Sequence, residues 1–218
     1  MQSYIARPII SFALVLLSGL MLIVERAPAQ GTSRVGGQAF SAYVSTPVAN
    51  AQSPIAVLPD TGGMAEGQAQ TFTVANTITS QGLDAISTGM ADSPVSSSQS
   101  TSELESLSLL GGLITADAVT AIASSYVDGT GAASDALGSA FVNLVVNGTA
   151  ITTDLAPNTQ IALPGVGYVV LNEETPAGNG VTSSGITVNM IHVVLQDALT
   201  GAKTGEIIVG SANSAVGF

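Results

Sequence analysis

One imidazole and a thin scatter of carboxylates are all this chain offers to acid–base chemistry. His192 is the only histidine and there is no cysteine, so zinc sites of the usual His/Cys kind, thiolate nucleophiles and disulfides are excluded. Serine is plentiful, but no G-x-S-x-G elbow marks one as activated. His192 shares strand parity with Val188, Met190 and Val194, which predicts a buried, hydrogen-bonded core imidazole. Glu173 and Glu174 are adjacent, so on a strand they face opposite sides and are poorly placed to act as a paired acid and base. A strand end facing water is expected there. Glu103 and Glu105 share a face if extended, suited to solubilising a sheet edge or holding a cation. Residues 128–135, DGTGAASD, are rich in oxygen ligands but lack the carboxylate spacing of an EF-hand. They read as a solvated loop, with an adventitious Ca2+ as the single cofactor reading. Leu58-Pro59-Asp60-Thr61-Gly62 matches a sortase pattern, yet it lies far from the carboxyl end and reads as a turn. No catalytic, cofactor-binding or metal-ligating residue is assigned.

The elements around these residues are strands. Residues 157–174, PNTQIALPGVGYVVLNEE, alternate apolar and polar on both sides of a Pro-Gly corner, which predicts a hairpin central to an all-β domain. Residues 39–45 (AFSAYVS) predict a strand, read as an edge. Residues 55–58, 70–78 and 83–87 predict three more. Residues 93–102 (SPVSSSQSTS) are low in complexity and predict a solvated loop, with a polar edge strand as the alternative. In residues 103–126 the Gly111-Gly112 pair argues against one helix, so strand, corner, strand is expected. Residues 128–139 read as a loop. Residues 141–152 read as a hairpin with Val142, Leu144 and Val146 on one face and an Asn147-Gly148 type I′ turn; that turn explains the N-x-T sequence there. Residues 173–184 predict a polar loop, and residues 186–197 and 205–211 a last hairpin. Its alternation slips at Met190-Ile191, which predicts a bulge or a strand covered on both sides.

Composition fits an exported β protein. Of 218 residues, 46% are hydrophobic and only 9% charged, and the net charge is −11. Ser, Thr, Asn, Gln and Gly must therefore form the solvated faces. Nucleic acid is not an expected partner, because binding its phosphates requires clustered Lys and Arg and only four are present. Arg7, the apolar run 8–24 and Ala27-Pro28-Ala29 have the layout of a cleaved signal peptide. The domain plan is thus 1–29 signal peptide and 30–218 secreted mainly-β domain, touching membrane only through the leader. An antiparallel β-sandwich or jelly roll is expected, with a β-solenoid as the alternative.

The runs SLLGGLITADAVTA (108–121), FVNLVVNG (141–148), PNTQIALPGVGYVVLNEE (157–174), ITVNMIHVVL (186–195) and GEIIVGSA (205–212), with FSAYVS and VLPDTGG earlier, resemble the bacterial choice-of-anchor P family. That resemblance implies a surface or secreted protein without assigned enzymatic activity, and it carries over no catalytic residue. No sorting tail is visible before Phe218, which points to a freely released or self-assembling member. The expected function is a non-catalytic structural or matrix protein pairing with copies of itself, or with matrix or cell-surface components, through edge strands such as residues 40–44. The alternative is an adhesive or carbohydrate-binding module using Tyr43, Tyr126 or Tyr168. A secreted hydrolase ranks last, since it needs two carboxylates converging about 5–10 Å apart.

Overall fold

The computed structural model describes residues 33–152 and 155–218; the expected leader, residues 1–29, lies outside them. Fifteen strands follow one another, with no helix among the described residues. They are β1 (Arg34–Thr46), β2 (Ala49–Gln52), β3 (Ile55–Leu58), β4 (Gly62–Val74), β5 (Ile78–Ala91), β6 (Ser96–Leu109) and β7 (Ile114–Val127). Next come β8 (Ala132–Asp135), β9 (Ala140–Val142), β10 (Val145–Val146), β11 (Thr149–Ala150) and β12 (Thr159–Leu163). The last three are β13 (Gly167–Gly178), β14 (Ser183–Gln196) and β15 (Lys203–Gly217). They form a seven-stranded sheet ordered β12-β13-β14-β15-β1-β2, with β3 also on β1. An eight-stranded sheet is ordered β11-β10-β7-β6-β5-β4, with β8 and β9 on β7. The two antiparallel sheets pack face to face as a β-sandwich, not a solenoid.

Local chemistry explains the corners. Leu110, Gly111 and Gly112 all have positive φ (51°, 68° and 91°) and turn β6 into β7, the expected strand–corner–strand. Asn147 (φ 49°) and Gly148 (φ 75°) turn β10 into β11 as a type I′ hairpin requires. The hairpin β12–β13 forms with Thr159 opposite Leu171 and Leu163 opposite Gly167.

Several expectations need correction. The β12–β13 hairpin lies at the margin of its sheet, not its centre. Residues 70–78 are not one strand: Asn76 at φ 58° and a bond from Thr77 N to Val74 O (3.0 Å) turn the chain there. The serine run 93–102 is mostly strand β6, whose Ser96, Ser98, Ser100 and Ser102 are buried. The loop expected at 128–139 contains β8, and the one at 173–184 is strand in its first half, the end of β13, and again from Ser183 in β14. Val142 and Val146 belong to separate short strands, because Asn143 (φ 51°) breaks the run. Strand β1 is not an edge: β15 pairs along one side, β2 and β3 along the other.

Each long strand switches its inward face once, and the switches line up across each sheet. In β14, Val188 and Met190 point inward, then Ile191 and Val193. In β15 the inward set changes from Ile207 and Val209 to Ala212, Ser214 and Val216, around Gly210 (φ 65°). In β1 it changes from Gly37 and Ala39 to Ala42 and Val44 at Ser41. Pairing is in register on both sides of this row, Asn189 with Ser211 and Ile191 with Val209. The other sheet does the same at Gly82 (φ 56°), Ser106 (φ 52°) and Ala118. A one-residue slip inverts every side chain beyond it; here neighbouring strands slip together, so pairing continues beyond the row, with the register between β5 and β6 irregular from Thr79 to Asp84.

The row divides the interior. On one side, Leu107, Leu109, Ile114, Leu144, Leu171 and Ile207 form the bulk of the main apolar core, which crosses the row through Leu104, Val119 and Met190. On the other, small residues meet: Ala39, Ala56 and Ala85 cluster, and buried serines bridge the sheets. Ser98 Oγ donates to Gly36 O (2.7 Å) and Ser102 Oγ to Phe40 O (3.0 Å). Ser125 and Ser214 hydroxyls bond at 2.6 Å, and Ser134 with Ser184 at 2.5 Å. The approach is close: a Cβ on Gly37 would lie 2.8 Å from Ser100 Oγ. Val35, Leu58, Val127 and Val216 close the far end.

Candidate functional site

The face switch in β14 decides where the histidine goes. It reverses parity between Met190 and Ile191, so His192 leaves the core set and stands on the outer face of the seven-stranded sheet, 17% exposed. The expected core imidazole is thereby corrected. The parity count ran straight through the slip at Met190-Ile191, the one signal that could have placed His192 outside.

There His192 bridges three strands. Its Nδ1 lies 3.0 Å from Glu173 Oε2 on β13, and its Nε2 lies 3.2 Å from Glu206 Oε2 on β15. Asn189 Nδ2 donates to the same Glu173 oxygen at 2.7 Å, and Ser211 Oγ donates to Asn189 Oδ1 at 2.8 Å. Lys203 Nζ donates to Glu206 Oε2 at 2.7 Å. A line of hydrogen bonds thus runs Ser211–Asn189–Glu173–His192–Glu206–Lys203. Glu173 is not the solvated strand end expected of it, whereas Glu174 points away and accepts from Asn172 Nδ2 at 3.1 Å.

Two carboxylates facing one imidazole favour its cation. The hydrogen bond to Glu173 raises the His192 pKa above its usual value; burial opposes this and Glu206 adds to it. Glu173 is lowered, chiefly by the hydrogen bond from His192, and Glu206 is lowered, chiefly by that from Lys203. A doubly donating imidazolium has no free lone pair to accept a proton from a nucleophile. The arrangement is therefore suited to tying three strands together and to responding to pH. Among the described residues, no group of three or more His, Asp or Glu is arranged to hold a metal ion.

The other candidates fall apart in space. Asp128 Oδ1 accepts from Thr130 N (2.7 Å), Thr130 Oγ1 (2.6 Å) and Gly131 N (3.2 Å). These bonds to Thr130 hold its carboxyl below the ordinary range. Asp135 Oδ1 accepts from Leu137 N at 3.1 Å. Each carboxylate closes its own turn. The residues 58–62 form the turn joining β3 to β4, with Gly62 N bonded to Pro59 O at 2.8 Å.

Glu103 and Glu105 do share the outer face of β6, but β6 is an inner strand of its sheet, not an edge. Glu103 sits directly opposite Asp84. With Ile86, Thr88, Gln99 and Thr101 they line a shallow groove of about 270 Å³. Asp84 Oδ1 is buried without a partner. Sequence reasoning missed Asp84 because nothing local announces a cross-strand neighbour. Of the three tyrosines, Tyr43 stacks edge-on with Phe40 (centroids 6.4 Å apart) and Tyr168 is half-buried. Tyr126, 50% exposed, stands on the outer face of β7 beside Ser97, Gln99 and Ser124.

No curated protein and no solved structure matches this chain. A family model does, over residues 32–185, which spans the strands from β1 to the start of β14. The chain belongs to that family, described as a domain of unknown function (DUF8256).

Proposed function

We propose that this protein is a non-catalytic structural component of the bacterial exterior, released or held at the cell surface and working by association with copies of itself. The reading draws on the leader pattern in residues 1–29, the resemblance to the choice-of-anchor P family and a sequence with 9% charged residues. The observation that carries it is the hydroxyl-stapled interior. Ser41, Ser98, Ser102, Ser125 and Ser134 bond across the gap between the sheets, which fixes the sheets against sliding where an apolar core alone would not. Such construction suits an object whose product is its surface. Association through residues 40–44 is withdrawn, because β1 has neighbours on both sides.

The test is fractionation of cells making the full-length chain, with electron microscopy of the extracellular material. Processed protein in the medium or at the surface, associated with copies of itself, is expected. Unprocessed protein confined to the cytosol overturns the reading.

An adhesive, glycan-binding role is favoured by one feature, half-exposed Tyr126 beside Gln99 and Ser124. A sugar ring stacked on Tyr126 would find hydrogen-bonding partners in both. Glycan-array binding that Tyr126→Ala abolishes would establish it, and binding indifferent to that change would remove it.

A further inference from the structure

We propose that β4 is the self-association edge, and that two copies join there in antiparallel fashion about a two-fold axis at Gly67. This rests on the self-association put forward above and gives it a location. Among the described residues, β4 pairs with β5 alone and closes its sheet. It is 13 residues long, whereas the other outermost strands, β2, β3, β8, β9, β11 and β12, have two to five. Long edges are ordinarily blocked by Lys, Pro, bulges or a covering segment, because their free N–H and C=O groups template another strand. Strand β4 has no Lys, no Pro and one charge, Glu66.

The same margin carries exposed apolar side chains. Strand β3 ends the other sheet on this side and packs on β4: a Cβ on Gly67 would lie 3.0 Å from Ile55 N. Ile55 (40%), Val57 (56%) and Met64 (59%) are exposed along it. The inner face of β4 is thus closed by backbone, and what stays open is its edge.

Charge selects the occupant and the register. A second β4 is nearly neutral and of equal length, and isologous pairing closes after two copies. Centred on Gly67, the pairing sets Glu66 opposite Gln68 twice and Met64 opposite Gln70 twice. Centred on Glu66, it would oppose two carboxylates, which is unfavourable. The product is one continuous sheet through both molecules.

The experiment is sedimentation of the intact secreted chain and two variants at an outward position, Gln68→Glu and Gln68→Lys. The first faces Glu66 with like charge at two places and should weaken association about tenfold. The second should tighten it several-fold, and both effects should fade in about 1 M salt, where the Debye length is about 3 Å. Because the chain has no cysteine, Glu66→Cys mixed with Gln68→Cys supplies a readout independent of affinity. The mixed disulfide should form in excess over either homodimer. A monomeric wild type, or association indifferent to both charge changes with no mixed disulfide, overturns the β4 site. Assemblies that persist under that second outcome leave self-association standing and place it elsewhere, whereas a monomeric wild type removes both.

Discussion

Ser125 and Ser214 offer a measurement of what the serine staples contribute. Their hydroxyls meet at 2.6 Å across the two sheets, and the residues are 3% and 0% exposed. Replacing one by Ala leaves the other hydroxyl in a dry gap without its partner, which costs about 1–3 kcal/mol. For a domain of this length that is a fall in melting temperature of roughly 2–12 °C, at about 2–4 °C per kcal/mol. Replacing both removes the orphan. What remains is the void left by two oxygens, roughly 20–30 Å³, worth about 0.5–0.7 kcal/mol at ~24 cal/mol per Å³. The double variant should therefore be no less stable than either single one, with a coupling energy of at least about 1 kcal/mol. Urea denaturation of the four proteins completes the cycle. Additivity within about 0.5 kcal/mol would show the two hydroxyls to be independent, and the stapling argument would fall with it.

Three further outcomes are expected. Stability should depend on pH through the His192 cluster. The raised His192 pKa contributes stability that is fully present below 6.5 and lost as pH rises through its folded value; the lowered Glu173 and Glu206 values contribute stability present above 4.5 and lost as pH falls through theirs. Urea midpoints should then plateau between those limits, and His192→Gln should abolish the alkaline decline; a wild type flat on that side contradicts the ion-pair account. Gly210→Ala should cost about 2–4 kcal/mol, since φ is 65° and the new Cβ would lie 2.9 Å from Val119 Cγ1; thermal melting with an unchanged midpoint would show that the row tolerates a side chain. Ser106→Gly should stabilise by up to about 1 kcal/mol, because Ser106 holds φ 52° at the switch in β6, and a lowered melting temperature would point to a role for its side chain.

Strands with an unbroken period of two on one side of the switch row were legible. Residues 159–163, where Ile161 and Leu163 alternate with Gln160 and Ala162, follow that pattern; residues 55–58 and 207–209 are apolar throughout and legible as short strand-forming runs, and the turns at Gly111-Gly112 and Asn147-Gly148 carry their own backbone chemistry. Two kinds of information were not local. Buried serine looks like exposed serine in a sequence, so 96–102 read as a loop; only the opposing backbone of β1 makes those hydroxyls interior. The face switches disturb alternation at 41, 190 and 210, but a slip in one strand says nothing about whether its neighbours slip too. His192 stands on the outer face because parity reverses within β14 itself, between Met190 and Ile191. Its partners Glu173 and Glu206 lie on different strands, at separations that no motif records.

The aligned switches also explain why one chain can be both apolar inside and nearly uncharged outside without losing definition. Leucine and isoleucine packing seals the half holding Ile114, Leu144 and Ile207, but such a core tolerates sliding of one sheet over the other. Hydroxyl bonds are directional and do not. Placing them at and beyond the switch row gives the half built on β1, β5 and β6 a fixed inter-sheet alignment where Ala39, Ala56 and Ala85 cluster. The open stretch of β4 around Gly67 pairs with residues 83–90 of β5, so it belongs to this stapled half. An edge that is to recognise another copy benefits from such backing, because a strand already held straight loses little freedom on pairing. Loosening the staples should then weaken association even though no serine touches the partner, a link between interior chemistry and outer contact that the Ser125→Ala variant brings within reach of the same sedimentation assay.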